Sequence, residues 1–459
     1  MAQEKGKKGL FSPQMMLILG VVWVWFGAQM GSGTACGNNH MNYFVGFGWI
    51  GLITVLLAMG LEFWMFYWGM ELSRITKAHH FSSWMREITY PYDRIFVPLF
   101  DVLTLIVFPV YIGSCLAGTA EVTSQYLGIP YYFALVCGVI LFMLIAIYGM
   151  KILAKLQTLL SVLIIGVIIY FLIIGIPANF DASMSRITNN MLGDGDVYGS
   201  FAWALMYVVL FVAMQFSNLS SMPAATKGRL HSKMDTKKVV LFTGIFLVIV
   251  YFAMSFVLLG RWPDNLSAEI FTLEAVQALN DPLIQVLYPI LLFCAFISTG
   301  PVFVFSLTDR WASLAFWDKM SEKVILKRNV KLRRAFIGAV ILAVALYIST
   351  YGFGFVTHYM FVFTSWAFLP FCFIPMVFFV PFRVRKMRQE AAAGTLTTAN
   401  EIRAAEALEK GTAFHVEGIG EDEITEEEEA AIAKGLLTKE DLAKRQEVAK
   451  KLMEMEQEE

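Results

Sequence analysis

The chain has 459 residues, of which 57% are hydrophobic, 15% aromatic and only 16% charged, with a mean hydropathy of +0.61. Soluble domains carry roughly 25% charged residues, so this composition excludes a soluble globular enzyme and a disordered chain, and five scattered cysteines exclude a disulfide scaffold. The net charge of −1 conceals a split: residues 389–459 hold 8 Lys/Arg and 19 Asp/Glu, whereas residues 1–388 hold 28 and 18.

Apolar stretches of about 20 residues, the length that crosses a bilayer, predict ten helices over 14–35, 45–71, 95–125, 131–149, 153–177, 200–226, 238–260, 283–308, 333–353 and 357–382. Lys5, Lys7 and Lys8 flank the first, and no small-residue cleavage site ends a short apolar core, so it reads as a span and not as a removed signal. With the N-terminus inside, the inner segments collect 26 Lys/Arg and the outer loops only Arg186 and Arg261, the bias of a cytoplasmic face. The expectation is an all-α membrane protein. Residues 1–388 form a ten-helix transmembrane core and residues 389–459 an acidic, helical cytoplasmic tail, with both termini in the cytoplasm of a cell (inner) membrane protein.

Helix 1 carries Gly27-Ala28-Gln29-Met30-Gly31-Ser32-Gly33. Three glycines in seven residues cost a helix up to about 1 kcal/mol each relative to Ala, and unwound backbone survives in a bilayer only where it lines a cavity or is buried in protein. Close helix packing through Gly27 and Gly31 is the other reading of the same spacing. Helix 6 holds a second interruption, Met214-Gln215-Phe216-Ser217-Asn218-Leu219-Ser220-Ser221-Met222-Pro223. Interrupted helices opening each of two five-helix halves point to an inverted repeat with a midplane site, where freed N–H groups receive a carboxylate and freed carbonyls a cation. An odd repeat length also inverts the second half.

Three carboxylates fall within the spans. Glu62 and Asp101 are placed toward the inner ends of helices 2 and 3, where protonation, solvation or pairing with loop Lys/Arg suffices. Glu121, within Ala117-Gly118-Thr119-Ala120-Glu121 near the outer end of helix 3, is the candidate for proton uptake. In helix 8, Ala295, Ser298 and Thr299 share one face and offer a carbonyl and two hydroxyls to a monovalent cation, unless the hydroxyls bond their own helix. The six histidines make no metal pair at helical spacing, and Gly193-Asp194-Gly195-Asp196 lacks the Gly-Lys-Ser/Thr of a phosphate loop. Neither an enzymatic nor a nucleic-acid role is expected, and no cofactor is implied beyond a coupling ion. In the tail, Gly394 to Thr398 reads as a linker, Ile402–Lys410 and Glu426–Met455 as helical, and Thr438–Asp441 as a capping box. The tail is either a solvated extension or a regulatory, partner-binding element attracted to the basic inner face, which salt would weaken.

The helix-1 run resembles the Gly-Ser-Gly signature of the amino acid–polyamine–organocation superfamily, and within it the chain is similar to the YkvI-like membrane permeases. The resemblance continues through Tyr43-Phe44, Phe47-Gly48-Trp49, Leu116-Ala117-Gly118, Gly128-Ile129-Pro130, Lys155-Leu156-Gln157-Thr158, Ser298-Thr299 and Tyr351-Gly352-Phe353, covering about residues 12–382. It implies a LeuT-type fold, five plus five helices with helices 1 and 6 broken, working by alternating access. By position, Gly31, Ser32 and Gly33 would hold a substrate carboxylate, and Tyr111, Phe211 and Gln215 the side chain. Gly27, Met30, Ala295, Ser298 and Thr299 would hold sodium. No Lys falls within 156–177 of helix 5, where some relatives place one instead of sodium. The chain departs from the family at Thr34-Ala35-Cys36-Gly37 and at Leu210-Phe211-Val212, where an Asn is expected. The expected function is sodium-coupled symport of a neutral amino acid or related small solute. The alternatives are a proton-coupled permease using Glu121 and a transporter-like sensor signalling through the tail.

Overall fold

The computed structural model describes residues 12–148, 150–189, 201–312, 317, 325–410, 424–438 and 441, and among these every regular element is helical. The Gly193–Asp196 loop and the tail beyond 441 lie outside the described residues. Helix α1 (Pro13–Gln29) starts on Ser12, whose Oγ accepts from the Met15 N–H (3.3 Å), with Pro13 in the first turn where its missing N–H costs nothing. The helix stops at the glycines: Gly31 is extended (φ −72°, ψ −166°) before a short α2 (Ser32–Ala35), and Gly37 (φ +80°) turns the chain into α3 (Asn38–Tyr43). Then follow α4 (Trp49–Thr76), α5 (Phe81–Thr89), α6 (Asp93–Leu127), α7 (Tyr131–Tyr148) and α8 (Met150–Thr188). The helix-6 region is split into α9 (Phe201–Met214), α10 (Phe216–Leu219) and α11 (Met222–Thr226), and is followed by α12 (Lys233–Arg261), α13 (Phe271–Ala278) and α14 (Pro282–Ala312). The last part comprises α15 (Ile325–Arg328), α16 (Val330–Ser349), a span of α-helical and π-helical turns opened by α17 (Phe353–Phe355) and containing α18 (Phe361–Phe368), then α19 (Val380–Ala392), α20 (Ala399–Lys410) and α21 (Glu426–Ala433).

Eight helices among the described residues are long and apolar enough to cross a membrane, and Pro13–Gln29 and Tyr131–Ile145 are shorter apolar helices. The chain is a multi-pass membrane protein. The face carrying the start of α1, the start of α12 and the tail is called the tail face below.

One boundary changes the meaning of a residue. The second span begins at Trp49 and not at 45, because Val45–Phe47 form a 3₁₀ turn and Gly48 (φ +65°) redirects the chain. Gly51 then passes the Phe44 carbonyl so closely that a Cβ would lie 2.1 Å from its oxygen. This turn moves the helix toward the tail face in sequence, and Glu62 stands midway along its 28 residues instead of near its inner end. Asp101 does have a cationic partner, Arg310 on α14, at 2.9 and 2.8 Å.

Close approach of helices is set by two glycines. A Cβ at Gly118 of α6 would sit 2.3 Å from the Phe296 ring of α14, and one at Gly300 of α14 would sit 2.1 Å from the Phe142 ring of α7. Buried rings between packed helices have nowhere to move, so Gly300→Ala is expected to cost about 1–3 kcal/mol of stability through overpacking. Thermal unfolding of the purified protein checks this; an unchanged melting temperature would mean α7 and α14 can separate freely.

The described part of the tail is not a solvated extension. Gly394–Thr398 is a turn with Leu396 and Thr398 buried, after which the backbone N–H groups of Ala399 and Asn400 donate to the Glu87 carboxylate of α5 (3.1 and 2.9 Å). Arg403 of α20 clasps Asp93 at the start of α6 (3.0 Å from Nε). Helix α21 has a capping box between Thr425 and Glu428 and ends at Ala433, earlier than the composition suggests, with Gly435 (φ +70°) in the turn that follows. Its Glu427 meets Arg74 of α4 twice at 2.8 Å, and Glu428 meets Lys77 at 2.9 Å. Arg74 also holds Glu71 (2.9 and 3.0 Å), which accepts from Thr236 of α12 (2.6 Å) and from Arg388 of α19.

Candidate functional site

The two interruptions meet. Gln29, the last residue of α1, accepts at Oε1 from the Asn218 amide of α10 (3.3 Å), and that amide also reaches the Gln215 Oε1 (2.6 Å) at the end of α9. The two polar runs thus meet through their side-chain amides. A polar amide in the middle of a bilayer needs such partners. The Gln29 Nε2 donates on the other side to the Tyr251 hydroxyl of α12 (3.1 Å) and to Glu62 of α4 (3.3 Å). Tyr251 shares a hydrogen bond with Thr34 of α2 (2.7 Å), and Thr34 accepts from Asn39 of α3 (3.2 Å). One tyrosine thus bridges both sides of the helix-1 break.

Around this junction lies a cavity of about 40 Å³ lined by Gln29, Gly31, Gly33, Thr34, Asn39, Tyr111, Gln215, Ser217, Asn218, Thr299, Phe303 and Phe361. At roughly 10–15 Å³ per water-sized probe, the space takes only water-sized groups, so a larger solute requires the walls to part. One wall is aromatic: Tyr111 stacks on Phe303 (5.5 Å) and meets Phe361 edge-on (5.1 Å), and its hydroxyl bonds Thr364 (3.0 Å). The other walls are backbone of the helix-1 break and amides of helix 6. The Asn39 Oδ1 is buried and has no hydrogen-bond partner, beside Gly33, whose absent Cβ leaves the only room the amide has.

Of the residues singled out in the sequence, Gly31, Gly33, Tyr111, Gln215 and Thr299 line this cavity together. Ser32 opens α2, and its side chain lies outside the described residues. Phe211 is not a lining residue: it is fully buried against Phe44 (5.0 Å), Tyr43 (5.6 Å) and Tyr251 (5.6 Å). Thr299 faces the break, since a Cβ on Gly31 would be 3.4 Å from its Oγ1. Ser298 donates to the Ala295 carbonyl (3.0 Å), and Gly27, Met30 and Ala295 are buried and do not line the cavity. Glu121 stands apart near the end of α6, accepting from Gln125 (2.6 Å). The residues that sequence reasoning left unassigned are Gln29, Thr34, Asn39, Asn218, Tyr251 and Glu62. Gln29 and Asn218 lay inside the two quoted runs, Thr34 opened the segment that departs from the family, and Glu62 was noted as a carboxylate within a span; Asn39 and Tyr251 carry no local signal.

The opposite face is closed by a second polar set. Asn38 donates to Thr357 (2.8 Å), Asn42 donates to the Thr357 carbonyl (2.9 Å), and His358 bonds Asn42 (2.7 Å). These contacts tie α3 to the last span beside a cavity of about 440 Å³ that also touches Trp262 and Glu269. On the tail face the Glu71–Arg74–Glu427 cluster holds α4 to α21.

No protein family and no curated protein matches the sequence. Solved structures match the fold. A Na+-coupled sialic acid symporter in a substrate-bound outward-open state aligns at a TM-score of 0.57 with 13% identity, over 86% of this chain and 84% of that chain. A manganese transporter of Eremococcus coleocola aligns at 0.53 with 13% identity, over 99% and 95%. MhsT in complex with L-phenylalanine aligns at 0.50 with 12% identity, over 80% and 97%. These neighbours are transporters and not enzymes, and the chain shares the LeuT-type transporter fold.

Proposed function

We propose that the protein is a secondary active transporter that carries a small zwitterionic solute, a neutral amino acid or a close relative, by sodium-coupled symport. The observation that carries this reading is the hydrogen bond between the two helix breaks, Gln29 to Asn218, over a cavity walled by freed backbone at Gly31 and Gly33. Freed N–H groups at the start of α2 suit a carboxylate, the amides of Gln215 and Asn39 suit an ammonium or a hydroxyl, and the aromatic wall suits an apolar side chain. Thr299, with Ser298, Ala295 and the carbonyls of Gly27 and Met30, is the proposed sodium set. The proposal includes ten membrane segments in two inverted halves of five, for which the eight spans and two shorter apolar helices give the number; cytoplasmic termini in a cell membrane and the YkvI-like permeases as the family are part of the same reading.

Alternating access is the proposed mode of transport. Opening on the far side requires the Asn38, Asn42 and His358 contacts to release; opening on the tail side requires α1, with its Gln14 amide on Asp235 (3.1 Å), to leave α12. The ion at α14 and the solute at the break share helix 1, so each should tighten the other by the same factor.

The test is thermal stabilisation of the purified protein by a panel of L-amino acids in sodium and in choline buffer. A ligand that binds only the folded state raises its stability. Stabilisation by a neutral amino acid that is greater in sodium is the expected result. In the Ser298→Ala, Thr299→Ala double variant the amino acid should still stabilise, with the sodium increment lost. A sodium increment that survives the double variant would place the ion elsewhere; no shift by any amino acid would remove the substrate class.

A further inference from the structure

Glu62 is a carboxyl in the middle of a membrane-spanning helix, fully buried, and the proposed sodium set does not use it. Its Oε2 accepts from Gln29 (3.3 Å), while its Oε1 is buried with no hydrogen-bond partner. From α1 it faces Gln29 and Trp25, whose ring stacks on Phe66 one turn along α4 (4.3 Å). From α12 the near titratable group is Tyr251, reached through Gln29, with His40 of α3 stacked on the Tyr251 ring (4.7 Å). From α9 it is Tyr207, packed on Phe47 toward the far face. The cations of α19 lie toward the tail face, Arg385 over Trp68 and Arg388 on Glu71, as do Arg86 and Glu87 of α5, and α11 brings no charged group. Among the described residues, then, no cation pairs with Glu62. A lone buried carboxylate charge is costly in a membrane interior, and no charge among the described residues offsets it here.

Gln29 is the side chain that touches both this carboxyl and the opposite helix break, and it lines the cavity. We propose that Glu62 is the proton site of the transport cycle: it carries its proton while Gln29 and Asn218 hold the two breaks together, and releases it to water when the breaks part and the cavity fills. The only bond broken is the carboxyl O–H, and the proton leaves as hydrated H⁺ on the open side. Gln29 is a positioning residue in this step. The proposal rests on the transport reading above.

The experiment is infrared difference spectroscopy on the full-length protein in lipid vesicles, between about pH 6 and about pH 9, with sodium chloride alone as the added probe. A neutral carboxylic-acid carbonyl band is expected that responds to pH and to sodium, disappears in Glu62→Gln and remains in Glu121→Gln. Gln29→Leu should displace the band without removing it. In vesicle uptake of the amino acid found by the stabilisation panel, the wild type should change about tenfold across that pH range, and Glu62→Gln should vary by no more than about twofold. A band unchanged in Glu62→Gln, or one insensitive to pH and sodium, overturns the proposal. So does uptake whose pH profile is the same in Glu62→Gln. The infrared arm needs no carried solute, so failure of the whole amino-acid panel would overturn the transport reading while the band still decides the role of Glu62.

Discussion

Replacing Arg74 by Met is expected to be the most destabilising single change at the tail face. The guanidinium is 1% exposed and lies between Glu71, 0% exposed, and Glu427, 9% exposed. Without it, two buried carboxylates are left with Thr236 and the partly exposed Arg388, and breaking a buried pair costs about 3–5 kcal/mol because a charge is stranded. The apparent melting temperature should fall by on the order of 10 °C, and protease should cut the tail that α21 no longer anchors. Adding Glu427→Gln to Arg74→Met should restore part of the loss, because it removes one stranded charge from a coupled set. A double-variant loss equal to the sum of the losses in Arg74→Met and Glu427→Gln alone would show that Glu427 and Arg74 are not coupled. The cluster joins α4, α12, α19 and α21, so it also fixes how the tail sits across the helices that open toward that face. Salt, expected from composition to weaken such an attraction, should have little effect, since buried pairs are screened far less than exposed ones.

The second large effect is expected in binding. A Cβ at Gly33 would lie 2.3 Å from Asn39 Oδ1 and 2.7 Å from its Cγ. In Gly33→Ala the amide must therefore swing away from Thr34, which removes one end of the Thr34–Tyr251–Gln29 chain and fills space next to the break. Overpacking of this kind costs about 1–3 kcal/mol, and on the proposed reading the affinity for the amino acid should drop at least about tenfold, equivalent to about 1.4 kcal/mol. Isothermal titration of wild type and variant in sodium buffer measures it. Retained affinity in Gly33→Ala would mean that the solute does not sit against the helix-1 break.

Much of the fold was legible because membrane spans and breaks are local properties. A run of apolar residues declares its own length, and three glycines in Gly27–Gly33 interrupt a helix whatever surrounds them. Helix 6 announced itself in the same way through Gln215 to Ser221. Boundaries were less legible: the Gly48 turn pushed α4 toward the tail face and put Glu62 midway along its helix, because the close pass of Gly51 over the Phe44 carbonyl is a contact between segments that a hydropathy window does not contain. In the site, glycines and a lone aromatic were found by their position in a motif, while the amides that join the breaks were not, since a Gln or Asn in a span looks the same whether it bonds its own helix or another.

The sequence by itself determined the membrane character, the two interrupted helices, the glycine-lined break and the acidic character of the tail, all of which follow from composition within a single stretch of chain. Only the tertiary structure decided which polar groups meet. Gln29 finds Asn218 and Glu62, Tyr251 bridges the two sides of the helix-1 break, and Glu427 finds Arg74 across 353 residues of chain. The physical reason is that burying a polar or charged group is tolerable only with a partner at hydrogen-bond distance. Where that partner lies is set by the packing of whole helices against one another, which no window along the chain contains.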